Sequence, residues 1–234
     1  MLSEQKEYKP IDKMSFIWDS LAQGERDYLR ENTTFNTFRK GEIIYHIGDE
    51  PTHLVCLISG MVKVYKNGIG TNRQQIVRMA KPGDVFAYRA FLAKEPYCNS
   101  AAALEHSTAY LVPVKVVWQI IQSNNKLAMT FLNLVAQRVG TSDNRTMSLT
   151  QKLVKGRLAE TLIALNTDFG IEAKTGFLHC NLSRDDLASL SNMTTSNAIR
   201  TLSQFEKDGI IETNRRAIKI LKEDELRKIS RNGG

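Results

Sequence analysis

Between Phe35 and Pro113 the chain cannot run far without turning. Turn signals fall at Gly41, Gly48-Asp49, Ser59-Gly60, Asn67-Gly68 and Pro82-Gly83-Asp84. Glycine there supplies the backbone conformations that other residues resist, and Asn, Asp and Pro favour tight reversals. The segments between them are "GEIIYHIGD", "HLVCLISGMVKVYKNG", "RQQIVRMA" and "SAAALEHSTAYLVP", and within them Ile58, Val62 and Val64 recur with period two. That alternation suits strands with one buried and one wet face. Strands so short and so regularly interrupted predict an all-β sandwich or barrel of about 80 residues.

After Pro113 the β signature stops. From Val114 to Leu165 there is no proline, and the propensity is helical. Leu132, Val135, Val139, Thr146, Leu149 and Leu153 lie near i, i+3, i+4 and i+7 positions, a stripe long enough to pack beyond its own domain. The polar patch "GTSDNRT", Gly140 to Thr146, interrupts it. Two readings stay open: a hinge near the end of one long helix, before "QKLVKGRLAETLIAL", or the turn of an ordinary helical hairpin.

The loop "NTDFGIEAKTGF" leads to "SRDDLASLSNMTTSNAIRTLSQFEKDGII". Ser183 with Asp186 three residues later marks a helix start, with Leu187 and Leu190 inward. Ala188 is small where a second helix must cross, and Asn192 tolerates the left-handed turn between them. Thr194 then caps a second helix whose Ala198, Ile199, Leu202 and Phe205 face back onto the first. Two short helices about a tight turn make a helix-turn-helix.

The first turn of such a second helix enters the DNA major groove, so its exposed side chains must be short and hydrogen-bonding. Thr195, Ser196, Asn197 and Arg200 fit: Arg200 can fork onto guanine, Asn197 can pair with adenine, and Thr195 or Ser196 can reach phosphate or a base edge. "GIIETNRRAIKIL" follows as a β-hairpin tipped by Asn214, Arg215 and Arg216, a basic wing for the phosphate backbone. Arg184, opening the first helix, is placed for a phosphate as well. Lys152, Lys155 and Arg157 add positive charge upstream.

Composition agrees with a polyanionic partner without proving one. The 234 residues carry 32 Lys plus Arg against 25 acidic residues, a formal +7. Cys56, Cys98 and Cys180 are far apart and show no C-x-x-C spacing, which argues against a disulfide framework or a cysteine-rich metal site. The charged N-terminus and the lack of a run of about 18 apolar residues predict neither a secretory signal nor a membrane span. The expected location is the reducing cytoplasm.

The order of "KGEIIYHIGDEPTHLVCLISGMVKVYK", a downstream "PGDVFA", a long helix and "LSRDDLASLSNMTTSNAIRTLSQFEKDGII" resembles the cyclic-AMP receptor protein/FNR (CRP/FNR) family of bacterial transcription regulators. The resemblance runs from about Phe35 to Ile220, and its helix-turn-helix half is the more specific. It implies an α+β fold: an N-terminal double-stranded β-helix, a jelly roll of the cyclic-nucleotide-binding kind, then a long dimerisation helix and a C-terminal winged helix-turn-helix. The expected division is a β-roll sensor at 1–125, the dimerisation helix and hinge at 126–149, and the DNA-binding domain at 150–234. The family further implies a homodimer on a two-fold symmetric operator, half-sites roughly 34 Å apart, and contact with RNA polymerase.

The departures from the family pattern restrict the effector. In its cyclic-AMP binders, "PGD" is followed by an aromatic and Gly-Glu, with Arg-Ser or Arg-Thr about ten residues later; the Glu takes the ribose hydroxyl and the Arg the cyclic phosphate. Here Ala87 stands at the Gly position and Tyr88 at the Glu position, and Tyr97 or Asn99, depending on the gap, replaces the Arg. A phosphate buried without a charged partner is costly to desolvate, which argues against cyclic AMP. Phe86, Tyr88, Arg89, Tyr97, Asn99 and Ser100 are the candidate effector-pocket residues, with Arg89 either serving a different anion or simply paired at the surface. The want of an N-terminal cysteine cluster argues against an FNR-type iron–sulfur sensor, while heme, which the resemblance leaves open, would take His46, His53 or His106 of this chain as its ligand.

The reading helix departs too. The family's best-known set is Arg-Glu-x-x-x-Arg, matched here by Thr195, Ser196 and Arg200. The half-site should therefore differ from TGTGA, with the base pair facing Arg200 the one available to be kept. The DNA-binding expectation rests on Arg184, Thr194, Thr195, Ser196, Asn197, Arg200, Arg215 and Arg216. Two alternatives stand beside it: a ligand-binding regulatory module acting without DNA, and a heme-based gas sensor. A metal-dependent enzyme on the β-roll needs a close His-x-His plus Glu, which the four scattered histidines do not supply. Neither a catalytic nor a metal site is expected.

Overall fold

The structure is a computed structural model that describes residues 10–68 and 73–233. The chain divides into two compact units, Met1–Lys66 with Arg78–Val139, and Asn67–Val77 with Gly140–Gly234.

Eight short strands form across this region: β1 (Thr34–Phe38), β2 (Ile43–Tyr45), β3 (His53–Ser59), β4 (Val62–Asn67), β5 (Gln74–Ala80), β6 (Val85–Phe86), β7 (Ser100–Ala103) and β8 (Ser107–Pro113), the last two splitting a segment the sequence pattern reads as one. They form two four-stranded sheets, ordered β1-β8-β3-β6 and β2-β7-β4-β5. In the first, β3 runs antiparallel to β8 with Leu54 opposite Val112 and Cys56 opposite Tyr110. In the second, Val62 and Val64 of β4 face Ala103 and Ala101 of β7. The reversal between β3 and β4 requires Gly60: its φ is +85°, and a Cβ there would lie 2.3 Å from the Ser107 hydroxyl oxygen and 2.6 Å from the His106 carbonyl oxygen.

The sequence reading left the first 34 residues without elements, and the structure folds the described part of them. Two 3-10 turns, Ile11–Lys13 and Phe16–Trp18, precede helix α1 (Gln23–Glu31). Ile17, Trp18 and Leu29 are buried in a core shared with Leu54, Cys56, Val112 and Phe131. The polar end of this cap is tied by Asp12, whose buried carboxylate receives Arg30 at 2.7 Å and Arg26 at 3.2 Å. Those bonds, that from Arg30 foremost, hold the Asp12 carboxyl below the usual carboxylate range. In the same core Cys56 is packed as an inert thiol, with burial pushing its pKa up to about 12.

Helix α2 (Tyr88–Ala93) follows β6, and α3 (Val114–Ser123) follows β8. Helix α4 runs Asn125–Gln151 without interruption, so the backbone is helical through Gly140–Thr146. The break comes later, at Lys152–Leu153, before α5 (Val154–Phe169). Polarity there does not unwind the helix, because side chains fold back onto it: the Thr146 hydroxyl donates to the Ser142 carbonyl at 3.0 Å, and Thr150 repeats the bond to Thr146.

The second unit gathers α5 with α6 (Arg184–Leu190), α7 (Thr195–Lys207), the hairpin β9 (Ile211–Asn214) and β10 (Ala217–Ile220), and α8 (Glu223–Arg231). Leu158, Leu162, Leu187, Ala198, Leu202, Phe205, Ile218 and Leu226 fill its interior. The segment Asn67–Val77 belongs to this unit. The Ser189 hydroxyl takes the Ile76 N–H at 2.8 Å and donates to the Gln74 carbonyl at 2.6 Å. Arg145 donates to the carbonyls of Ile76 at 2.7 Å and Leu190 at 3.1 Å.

Candidate nucleic-acid interface

Helix α6 begins where the Ser183 hydroxyl accepts the Asp186 N–H at 3.0 Å. Helix α7 begins where the Thr194 hydroxyl accepts the Asn197 N–H at 3.2 Å. Between them Asn192 takes a left-handed φ of +51°, which ends the seven-residue α6 and lets the chain turn into α7. Thr195 staples the two helices, donating to Asp185 at 2.6 Å.

The inward face of α7 is Ala198, Thr201, Leu202 and Phe205. Ile199, expected among them, is 49% exposed. The reason is geometric: the inward stripe is already filled by residues 198, 201, 202 and 205, and residue 199 lies about 100° round the helix from 198. It shares the outward face with Ser196, Arg200 and Ser203. The Arg200 guanidinium donates to the Asn197 side-chain oxygen at 2.8 Å. Asn197 thus aligns the Arg200 guanidinium.

The hairpin forms the expected wing. Arg215 holds the tip with φ +54°, and both Arg215 and Arg216 are exposed. Glu206 of α7 fixes the wing by accepting from the Thr213 N–H at 2.9 Å and hydroxyl at 2.8 Å, bonds that also hold its carboxyl below the usual range. Arg184 donates from Nη2 to the Arg215 carbonyl at 2.8 Å, while its Nη1 is buried without a partner among the described residues. Burial pushes its pKa down. Arg184 thus braces α6 against the wing tip. The exposed arginines on the helix and on the wing are donors suited to guanine edges and phosphates, and exposed Ile199 is an apolar surface suited to a thymine methyl.

The candidate effector residues do not gather in one place. Phe86, Tyr97 and Asn99 surround Tyr45, which the sequence reading missed: its ring stacks on Tyr97 with centroids 4.0 Å apart and lies 6.4 Å from Phe86. Its hydroxyl bonds the Asn99 side-chain oxygen at 3.1 Å. Ser100 accepts the Ile47 N–H at 2.9 Å, and Tyr97 donates to the His53 carbonyl at 3.1 Å. Burial raises both phenol pKa values. Tyr88 instead packs on Phe131 with ring centroids 5.9 Å apart, and Arg89 is exposed and paired with Glu95 at 3.1 Å. His46 and His106 are exposed, and the His53 ring lies 2.9 Å from the Thr52 hydroxyl. Among the described residues no three His, Cys, Asp or Glu side chains converge to hold a metal, and no helix is long and apolar enough to cross a membrane.

Two family models match the chain, the cyclic nucleotide-binding domain over residues 35–124 and the Crp-like helix-turn-helix domain over residues 156–229. Among curated proteins it is similar to electron transport regulator A of Shewanella oneidensis, 26% identical over 83% of this chain and 77% of that protein. It is also similar to the fumarate and nitrate reduction regulatory protein of Vibrio cholerae, 24% identical over 82% and 76%. Among solved structures it shares its fold with FixK2 from Bradyrhizobium japonicum, at a TM-score of 0.77 and 22% identity over 84% of this chain and 96% of that one. A mutant of CooA from Carboxydothermus hydrogenoformans matches at 0.70 and 20% identity over 86% and 88%.

Proposed function

The chain belongs to the CRP/FNR family of transcription regulators, whose members bind DNA through a helix-turn-helix and act as dimers, and on that premise we propose how this member reads its operator. Arg200, aligned by Asn197, forks onto a guanine. Ser196 and Thr195 contact phosphate or a base edge, and Ile199 lies against a thymine methyl. Arg215 and Arg216 hold the phosphate backbone, with Arg184 keeping the wing in place and Thr194 capping the reading helix. The observation that carries the reading is the outward face of α7, where Arg200 is hydrogen-bonded in position beside an anchored basic wing.

Residues 1–125 act as the sensor, 126–149 as the dimerisation helix and hinge, and 150–234 as the DNA-binding domain. The protein works in the cytoplasm as a homodimer that contacts RNA polymerase, and it has no catalytic activity. Its effector is not cyclic AMP: Tyr88 and Tyr97 or Asn99 stand where that ligand needs Glu and Arg. Selection from a random duplex library tests the central claim. A two-fold symmetric motif is expected, enriched with or without a small-molecule extract of the source cells. Enrichment of no symmetric motif in either arm would overturn it.

A further inference from the structure

The hydroxyl of Thr195 has a single proton, and that proton is already in use. Thr195 is the first residue of α7, and its Oγ1 donates at 2.6 Å to Oδ1 of Asp185, the second residue of α6. What the pair has left to offer is all of one kind. A carboxylate only accepts, and Thr195, its proton spent, keeps lone pairs alone. Asp185 is exposed, and no lysine or arginine among the described residues pairs with it. Its neighbour Asp186 is committed elsewhere, accepting from the Ser183 hydroxyl at 2.6 Å. The rest of the polar face is of the opposite kind. Arg200 has only donors, and because the Asn197 side-chain oxygen is taken by Arg200 at 2.8 Å, the Asn197 amide has its N–H groups left to present.

We propose that Asp185 and Thr195 are specificity-determining residues, a paired acceptor that reads the exocyclic amino group of one base in each half-site, cytosine N4 or adenine N6. In the major groove only those two bases carry a donor, whereas guanine offers O6 and N7 and thymine offers O4, all acceptors. Phosphate oxygens are acceptors as well. A phosphate at this place would meet a like charge on Asp185 and an oxygen without a proton on Thr195. The bond to Asp185 therefore decides between the two contacts open to Thr195, in favour of the base edge. It also holds both side chains before DNA arrives, which lowers the ordering cost of the contact.

Thr195 precedes Arg200 by five residues, about 7.5 Å along the helix axis. Base pairs are stacked about 3.4 Å apart, so the amino-bearing base should lie within about three base pairs of the guanine read by Arg200. A duplex that satisfies the donor end and not the acceptor end leaves a desolvated carboxylate unpaired, which is the source of the discrimination. This rests on the reading of α7 as the helix that enters the major groove.

The test is selection from a random duplex library by the full chain and by Asp185→Asn, followed by competition binding against operators changed at one base pair at a time. Wild type should show a cytosine or adenine position, distinct from the guanine of Arg200, at which exchange weakens binding, and the base found there says which amino group is read. Asp185→Asn, which turns one carboxylate oxygen into an N–H donor, should reduce the preference at that position by about tenfold or more while the guanine preference persists. Thr195→Val should erode the same position by a smaller factor, and Thr195→Ser, which restores the hydroxyl, should recover it. A uniform gain in affinity for all duplexes by Asp185→Asn, with the motif unchanged, would overturn the proposal and make Asp185 a repeller of phosphate. An unchanged motif at unchanged affinity would overturn it equally. A wild type that selects no symmetric motif brings down the DNA reading and this inference with it, whereas a wild-type motif that Asp185→Asn shares counts against the acceptor pair alone.

Discussion

Arg200 and Arg215 carry equal charge and should do unequal work. Arg200 faces outward from the reading helix with its guanidinium aligned on Asn197. Arg200→Ala should abolish preference at one base pair of each half-site, a loss of roughly 1–3 kcal/mol of discrimination, while other positions keep theirs. Arg215→Ala should weaken all duplexes about equally and reduce the salt slope by about 1. Competition binding against single-base operator variants over a salt series separates the two, and uniform loss for both would contradict the assigned roles. The capping residues Ser183 and Thr194 and the left-handed Asn192 were legible in the sequence, because each is a local backbone requirement with few chemical solutions. Ile199 was not. An isoleucine next to a buried alanine looks like core until the stripe is seen to be filled by its neighbours.

Turn signals place elements well and caps poorly. Strands β2, β3, β4 and β6 of the roll each follow a glycine at positive φ, Gly41, Gly48, Gly60 and Gly83, and Gly60 is the sharpest case. Gly60→Ala would drive a Cβ into Ser107 and the His106 carbonyl at a positive φ, which predicts a loss of about 3 kcal/mol in chemical denaturation. The N-terminal cap escaped notice since α1 is largely polar and its hydrophobic anchors, Ile17, Trp18 and Leu29, are few and irregularly spaced. Its stability is tied to Asp12. The folded carboxyl sits below its ordinary value, chiefly through Arg30. Its contribution is therefore present above the unfolded pKa near 4 and is lost as pH falls through the lower folded value. Asp12→Asn should lower the melting midpoint at neutral pH, and the gap from wild type should narrow as acid is added below about pH 4. Arg26 and Arg30 remain partly hydrated, so the neutral-pH loss should lie at or under about 3 kcal/mol.

At the scale of the whole molecule, α4 leaves apolar surface that one copy does not cover. Leu132 is 58% exposed and Val139 56%, with Met129 and Met147 also outward. Spaced three, seven and eight residues apart, they suit a helix seam against a second copy. Leu132→Glu with Val139→Glu should give a monomer by analytical ultracentrifugation. Its affinity for a symmetric operator should fall by about 100-fold or more, since the second half-site then binds independently. A variant that stays dimeric and keeps its operator affinity would remove α4 from the interface. Of the stripe read from the sequence, Leu132 and Val139 belong to this exposed face, whereas Val135 packs against the core and Leu153 lies beyond the helix. The continuity of the helix through Gly140–Thr146 was not legible in the sequence, because the hydroxyl-to-carbonyl bonds that accommodate its polar residues exist only once the helix has formed.

The sequence by itself determined where strands stop, where the two helices of the reading motif begin, and which family pattern their order follows. These are consequences of φ preference, capping chemistry and hydrophobic period, all local along the chain. Only the tertiary structure decided that Tyr45 joins Tyr97 and Asn99, and that Arg184 braces a wing tip 31 residues away. Such groupings depend on which distant side chains the packed sheets and helices bring within a few ångströms. Spacing along the chain does not encode that, because the closure that brings them together is set by the summed packing of many residues rather than by any one of them.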